Sequence, residues 1–145
     1  MEGKGSGAGR RYDPRICLER SVTVSSKKRV LIADDSNFMR NSLKAILEKC
    51  QCEVVGMAEN GIEVVTKYKE LHPDLVTLDV IMPQMNGFEA LKLLKSIDPA
   101  VRVIMVTSMS SKENVVNCIN LGAKYYLIKP FDEAKVMETV RKVIA

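Results

Sequence analysis

Val30-Leu31-Ile32-Ala33-Asp34-Asp35-Ser36 is the stretch on which the fold turns. Its four apolar residues are too few for a helix and rich in branched side chains, so they read as a strand. The strand is apolar on both faces, which suits a sheet covered on both sides, as parallel sheets are. It stops at two carboxylates. Ser36 or Asp35 then caps a helix whose apolar positions Phe38, Met39, Leu43, Ile46 and Leu47 recur at helical spacing.

The same unit repeats down the chain. Cys52 to Met57 reads as a second strand, Asn60-Gly61 as a turn, and Ile62, Val65 and Tyr68 as the inner face of a helix that His72-Pro73 closes. Leu75 to Leu78 is a third strand that ends at Asp79. After the loop Met82 to Gly87, a helix carries Phe88, Leu91, Leu94 and Ile97 until Asp98-Pro99 stops it. Val101 to Val106 is a fourth strand, ending at Thr107-Ser108. A helix from about Ser111 follows, with Val115, Val116, Ile119 and Leu121 on it and Gly122 as its C-cap. Tyr125 to Ile128 is a fifth strand, ending at Lys129-Pro130. Asp132 caps a last helix on which Val136, Val140 and Val143 face inward. Strand and helix thus alternate five times, and right-handed crossovers give an α/β, doubly wound, five-stranded parallel sheet. Five units are too few for an eight-fold barrel.

What ends each strand is informative, because ligands of open parallel sheets bind outside the strands' carboxyl ends. The first strand ends in Asp34-Asp35, the third in Asp79, the fourth in Thr107 and the fifth in Lys129. If these four strands are contiguous, three carboxylates, a hydroxyl and an ammonium meet in one cleft. No glycine-rich phosphate loop follows the first strand, which argues against a dinucleotide or P-loop site. Adjacent carboxylates repel and need a cation to coexist ionised. An all-oxygen set suits Mg²⁺, which keeps waters and accepts phosphate oxygens. A carboxylate in that setting can attack phosphorus and form an acyl phosphate, with Lys129 and Thr107 meeting the charge on the phosphoryl oxygens.

The rest of the composition narrows the field. The 145 residues carry 22 Lys and Arg against 18 Asp and Glu, a formal net charge of +4. Residues 1–29 hold eight basic and three acidic side chains, so the whole excess lies there and the remainder stands at −1. The Gly-rich start reads as a flexible basic extension over residues 1–28, with the folded domain over 29–145. It has no apolar core of a signal peptide, and no apolar run nears the roughly 20 residues that span a bilayer. Cys17, Cys50, Cys52 and Cys118 do not form a CxxC pair, and the single histidine, His72, has no metal-ligand partner at suitable spacing. Incidental thiols in a reducing, cytoplasmic setting are expected.

RVLIADDSNFMR, LVTLDVIMPQMNGFEAL, VIMVTS and AKYYLIKPF resemble, in order and spacing, the signatures of the response-regulator receiver domain, across residues 29 to 145. The likeness is strongest to the single-domain chemotaxis regulators of that family. It implies a flavodoxin-like strand order 2-1-3-4-5. It also implies Asp79 as phosphoacceptor, with Asp34, Asp35, Asp79 and the Ile81 backbone carbonyl around Mg²⁺. Thr107 and Lys129 match the phosphate-contacting hydroxyl and lysine, Thr107 and Tyr126 the switch pair, and Lys129-Pro130 a cis peptide bond. The implied partners are a CheA-like histidine kinase, a protein target such as a flagellar motor switch protein, and a phosphatase. DNA binding and membrane insertion are not implied, and a monomer is expected.

Three functions compete on this basis. A phospho-switch acting on the flagellar motor leads, and a phosphorelay intermediate is the runner-up. A haloacid-dehalogenase-like phosphatase needs an acid two residues after its nucleophile, and Asp79 is followed by Val80-Ile81. That disfavours an enzyme with turnover beyond its own phosphorylation and dephosphorylation. Ile81 and Met109, each two residues past a site residue, are apolar where some relatives carry polar side chains that orient the attacking water. Slow hydrolysis of the Asp79 phosphate is therefore expected.

Overall fold

The computed structural model describes residues 27–109 and 111–144. Its elements are β1 (Lys28–Ala33), α1 (Asn37–Lys49), β2 (Cys52–Ala58), α2 (Gly61–Leu71), β3 (Leu75–Leu78), α3 (Gly87–Ile97), β4 (Val103–Thr107), α4 (Lys112–Asn120), β5 (Tyr125–Ile128) and α5 (Glu133–Ile144). The strands form one parallel sheet in the order β2-β1-β3-β4-β5. β1, β3, β4 and β5 are thus contiguous, as the rim of polar residues required. The first 26 positions of the predicted extension, Cys17 among them, lie outside the described residues. Lys28 is already part of β1, one residue ahead of the predicted boundary.

Alternation along the strands builds a core on each face of the sheet. Leu31, Ala33, Val76, Leu78, Val103 and Met105 point to one side, where Val64 and Tyr68 of α2, Ala90, Leu91 and Leu94 of α3, and Cys118 of α4 cover them. Val30, Ile32, Leu75, Ile104, Val106 and Leu127 point to the other, under Leu43 and Leu47 of α1 and Val136, Val140 and Val143 of α5. Each fully buried aliphatic side chain contributes roughly 1.5–3 kcal/mol, so these two layers dominate the stability. Cys52 and Cys118 are buried free thiols, and burial pushes each up to about 11, which keeps them protonated and unreactive. Among the described residues no helix is long and apolar enough to cross a membrane.

Side-chain oxygens start the helices, Ser36 and Asp132 as anticipated. Ser36 accepts from the Met39 amide at 3.2 Å, Ser111 from the Asn114 amide at 3.2 Å, and Asp132 from the Lys135 amide at 2.7 Å. Asn60-Gly61 is not a free turn: Asn60 is the N-cap of α2, accepting from the Glu63 amide at 2.8 Å, and Gly61 is the first helical residue. The C-cap of α4 is Leu121, and Gly122 follows it with φ +106°, the left-handed position just beyond a helix end.

Some expected core positions face outward. Phe38 is 76% exposed, and Ile62, Ile97, Val116 and Ile119 are also exposed. Val64 takes the place expected of Ile62, and Cys118 is the one buried residue of α4. Leu43 and Leu47 bury on α1 together with Arg40, a charged residue in an otherwise apolar stripe.

Among the described residues, the Thr77 hydroxyl on the central strand β3 is buried without a hydrogen-bond partner. An unsatisfied buried hydroxyl costs about 1–3 kcal/mol. Thr77→Val keeps the shape and removes the penalty, so it is expected to stabilise the domain by about 1 kcal/mol. Chemical denaturation of the two proteins checks this, and a lower midpoint for the variant sinks it.

Candidate functional site

β1 and β3 are neighbours, and Ala33 pairs with Leu78 at their carboxyl ends. The next residues, Asp34 and Asp79, therefore emerge side by side, and the Asp79 amide donates to the Ala33 carbonyl at 3.0 Å. Both are buried, at 1% and 5% exposure, while Asp35 is exposed. The three carboxylates can each offer an oxygen within 4.8 Å of the others. Lys129 follows β5 and reaches across the rim. Its ammonium donates to Asp34 Oδ2 at 2.6 Å and to Asp79 Oδ2 at 3.1 Å.

The electrostatics match this crowding. Burial raises the Asp79 carboxyl above its usual range, Lys129 pulls it back, and Asp34 pushes it up again; hydrogen bonding from Lys129 and Thr107 opposes the rise. Burial alone would lower the Lys129 ammonium, but its hydrogen bond to Asp34 and the charge of both carboxylates hold it above its ordinary value. The predicted constellation is thus assembled, and Lys129 serves as its resident cation.

Thr107, at the end of β4, is fully buried, and its hydroxyl accepts from the Met109 amide at 3.3 Å. Tyr126 is half-buried in β5, and its hydroxyl donates to the Met109 carbonyl. Burial is the main cause that raises the Tyr126 phenol, with Cys118 and Asp79 adding to it. The loop after Thr107 is thereby held from two strands at once. Ile81 is 58% exposed beside the acids, and its amide donates to Asp79 Oδ1 at 3.3 Å. Lys129-Pro130 is cis.

Two contributors escaped the sequence reading. Ser36 donates its backbone N–H to Asp34 Oδ1 at 2.9 Å, besides capping α1. Arg40 donates to the Asp34 carbonyl at 2.6 Å from a buried position. A charge at the head of the stripe Arg40, Leu43, Leu47 was the available signal.

The family model described as "Response regulator receiver domain" matches residues 30–141. The chain belongs to the receiver-domain family. It is 48% identical to a chemotaxis protein CheY of Thermotoga maritima over 116 residues, 80% of this chain and 97% of that protein. A CheY of Bacillus subtilis is 47% identical, again over 80% of this chain and 97% of the relative. Among solved structures, the CheX–CheY–BeF3–Mg complex from Borrelia burgdorferi aligns with a TM-score of 0.79 and 37% identity, covering 81% of this chain and 90% of the other. The receiver domain of Thermotoga maritima CheB aligns with a TM-score of 0.76 and 36% identity, over 82% and 97% of the two chains.

Receivers hold Mg²⁺ at an acidic site, and the residues present here fit such an ion. The donors are all oxygen, two are buried and preoriented, and exposed Asp35 leaves an open side.

The raised Asp79 carboxyl fixes the sign of a pH effect. A carboxyl raised above its unfolded value disfavours folding once it ionises, so its penalty is present above the folded-state pKa and fades as pH falls through it. In metal-free buffer Asp79→Asn is therefore expected to be more stable than the parent at neutral pH, with the gain shrinking toward acid pH. Thermal melts in chelator across that range test this. An equal or growing gain at low pH contradicts it.

Proposed function

We propose that this receiver accepts a phosphoryl group on Asp79 from a phosphohistidine of a CheA-like histidine kinase and signals by phosphorylation-dependent protein binding. The observation that carries this reading is the Asp34–Lys129–Asp79 cluster, with its ammonium at 2.6 and 3.1 Å from the two carboxylates. In the transfer, an Asp79 carboxylate oxygen attacks phosphorus, a P–O bond forms as the P–N bond breaks, and the leaving imidazole takes a proton from solvent. Lys129 is positioned to exchange part of its pairing with the carboxylates for the phosphoryl oxygens, as a compact point charge. Thr107 supplies a hydroxyl donor from β4. Asp34, Asp35, Asp79 and the Ile81 carbonyl hold Mg²⁺, which supplies positive charge to offset carboxylate repulsion and the phosphoryl oxygens.

Phosphorylation then draws Thr107 toward the phosphate and Tyr126 inward. This shifts the equilibrium of the α4–β5–α5 surface, on which Val116, Ile119, Tyr125 and Ile128 are exposed. Similarity to CheY supports chemotaxis as the setting, a cytoplasmic location, and a flagellar motor switch protein as the target. The CheX–CheY complex supports a CheX-type partner as well. A change in motor bias on phosphorylation marks the motor reading, whereas passage of the label from Asp79 to a second protein marks a relay.

Acetyl phosphate with Mg²⁺ is expected to add one phosphoryl group to the intact mass, and Asp79→Asn to abolish the addition. An unmodified wild-type protein overturns the phosphoacceptor role. Followed after removal of the donor, the label is expected to decay slowly, because Ile81 and Met109 offer no polar group to orient water. Ile81→Asn should shorten its lifetime several-fold; a half-life of seconds, unchanged by that substitution, contradicts the role of this position.

A further inference from the structure

Arg40 is the one buried basic side chain among the described residues that the phosphotransfer does not use, at 8% exposure. Its position is unfavourable on two counts. It lies in the first turn of α1, where no acidic residue stands and the helix dipole is positive. It also takes a full charge out of water, on a stripe that Leu43 and Leu47 otherwise keep apolar. A side chain that served only to cover the sheet would carry no charge there.

What offsets the cost is found in the acidic turn. The guanidinium Nη1 donates to the Asp34 carbonyl at 2.6 Å, and Nη2 donates to Asn37 Oδ1 at 3.3 Å. That carbonyl belongs to the peptide joining Asp34 to Asp35. The other anchors lie on either side: the Asp34 amide donates to the Ala58 carbonyl at 3.0 Å, and the Ser36 amide donates to Asp34 Oδ1 at 2.9 Å. Arg40 thus grips the middle of the turn from which both carboxylates project. Exposed Asp35 depends on it most, since its direction follows from the peptide that precedes it.

We propose that Arg40 is a positioning residue for the divalent cation: its buried guanidinium fixes the Asp34–Asp35 peptide so that both carboxylates aim at one ion. This rests on the Mg²⁺ reading of the acidic cluster. Lysine is an incomplete substitute, because one ammonium cannot hold the Asp34 carbonyl and Asn37 with the planar fork of arginine.

Calorimetric titration of the full chain with MgCl2 tests the role, in the wild type, Arg40→Met, Arg40→Lys and Val136→Ala, the last a core truncation on α5. Loss of a group that orients a metal ligand weakens metal affinity about 10- to 100-fold. Arg40→Met is expected to lose at least tenfold in Mg²⁺ affinity, Arg40→Lys less, and Val136→Ala nothing, with the Asp35 and Ser36 amide resonances displaced in the Arg40 variants. A folded Arg40→Met that binds Mg²⁺ as the wild type does overturns the proposal, as does an equal loss in Val136→Ala. If Arg40→Met does not fold, an unchanged affinity in Arg40→Lys overturns it. A wild type that fails to bind Mg²⁺ overturns the metal reading and this role with it, an outcome distinct from the others.

Discussion

Asp34 and Asp79 leave adjacent strands side by side, nearly without contact with water, and share a single ammonium, that of Lys129. Two buried carboxylates so close are hard to keep ionised, and one cation between them lowers the cost without removing it. The raised Asp79 carboxyl is what remains. Sheet order makes this arrangement possible. With β3 between β1 and β4, and β5 beyond β4, the ends of four strands form one rim, and Lys129 reaches back from the edge to the centre. An order that separated β1 from β3 would part Asp34 from Asp79. The site thus holds an unresolved excess of negative charge, which suits a domain that binds a cation and then a phosphoryl group.

Most of the fold was legible in the sequence because its elements carry local signals. Short branched runs stop at polar residues, Ser36 and Asp132 cap helices where expected, and the polar strand ends fall together on one rim. Helix phase was harder to read. An apolar residue every three or four positions gives a helix, yet when apolar residues are plentiful the pattern fits more than one face. On α2 the sequence offers Ile62, Val64 and Val65 in close succession, and tertiary packing selects Val64. On α4 it offers Val115, Val116 and Ile119, and the sheet takes Cys118 between them. Asn60-Gly61 is ambiguous for another reason: the side chain that favours a turn is also one that caps a helix.

Arg40 shows a different limit. A charge within a helical stripe marks a conflict between local pattern and fold, but it does not name the group that resolves it. The partner is a backbone carbonyl six residues earlier, Asp34, brought back by the strand-to-helix turn. Backbone acceptors carry no sequence signature, so such contacts emerge only when the chain is folded. The same holds for the Met109 carbonyl, which accepts from Tyr126 seventeen residues later.

In the switch proposed above, that last contact would link a change at Asp79 to the side of the domain that carries α4. β5 is an edge strand with the burial pattern exposed, half-buried, buried, exposed, and α4 contributes a single buried residue to the core. Little apolar area therefore ties this side of the domain down, and weakly packed segments lie at the low end of local stability. Between Asp79 and α4 stands a short span, Thr107 to Met109, fixed at one end by a buried strand and at the other by the Tyr126 hydroxyl. A new charge at Asp79 that draws Thr107 pulls on this span. The hydrogen bond to Tyr126 then has to follow or break, and either outcome changes the surface that α4 and β5 present. Under that reading, a stiff centre coupled to a loosely held edge would convert an electrostatic change at the rim into a change of shape outside it.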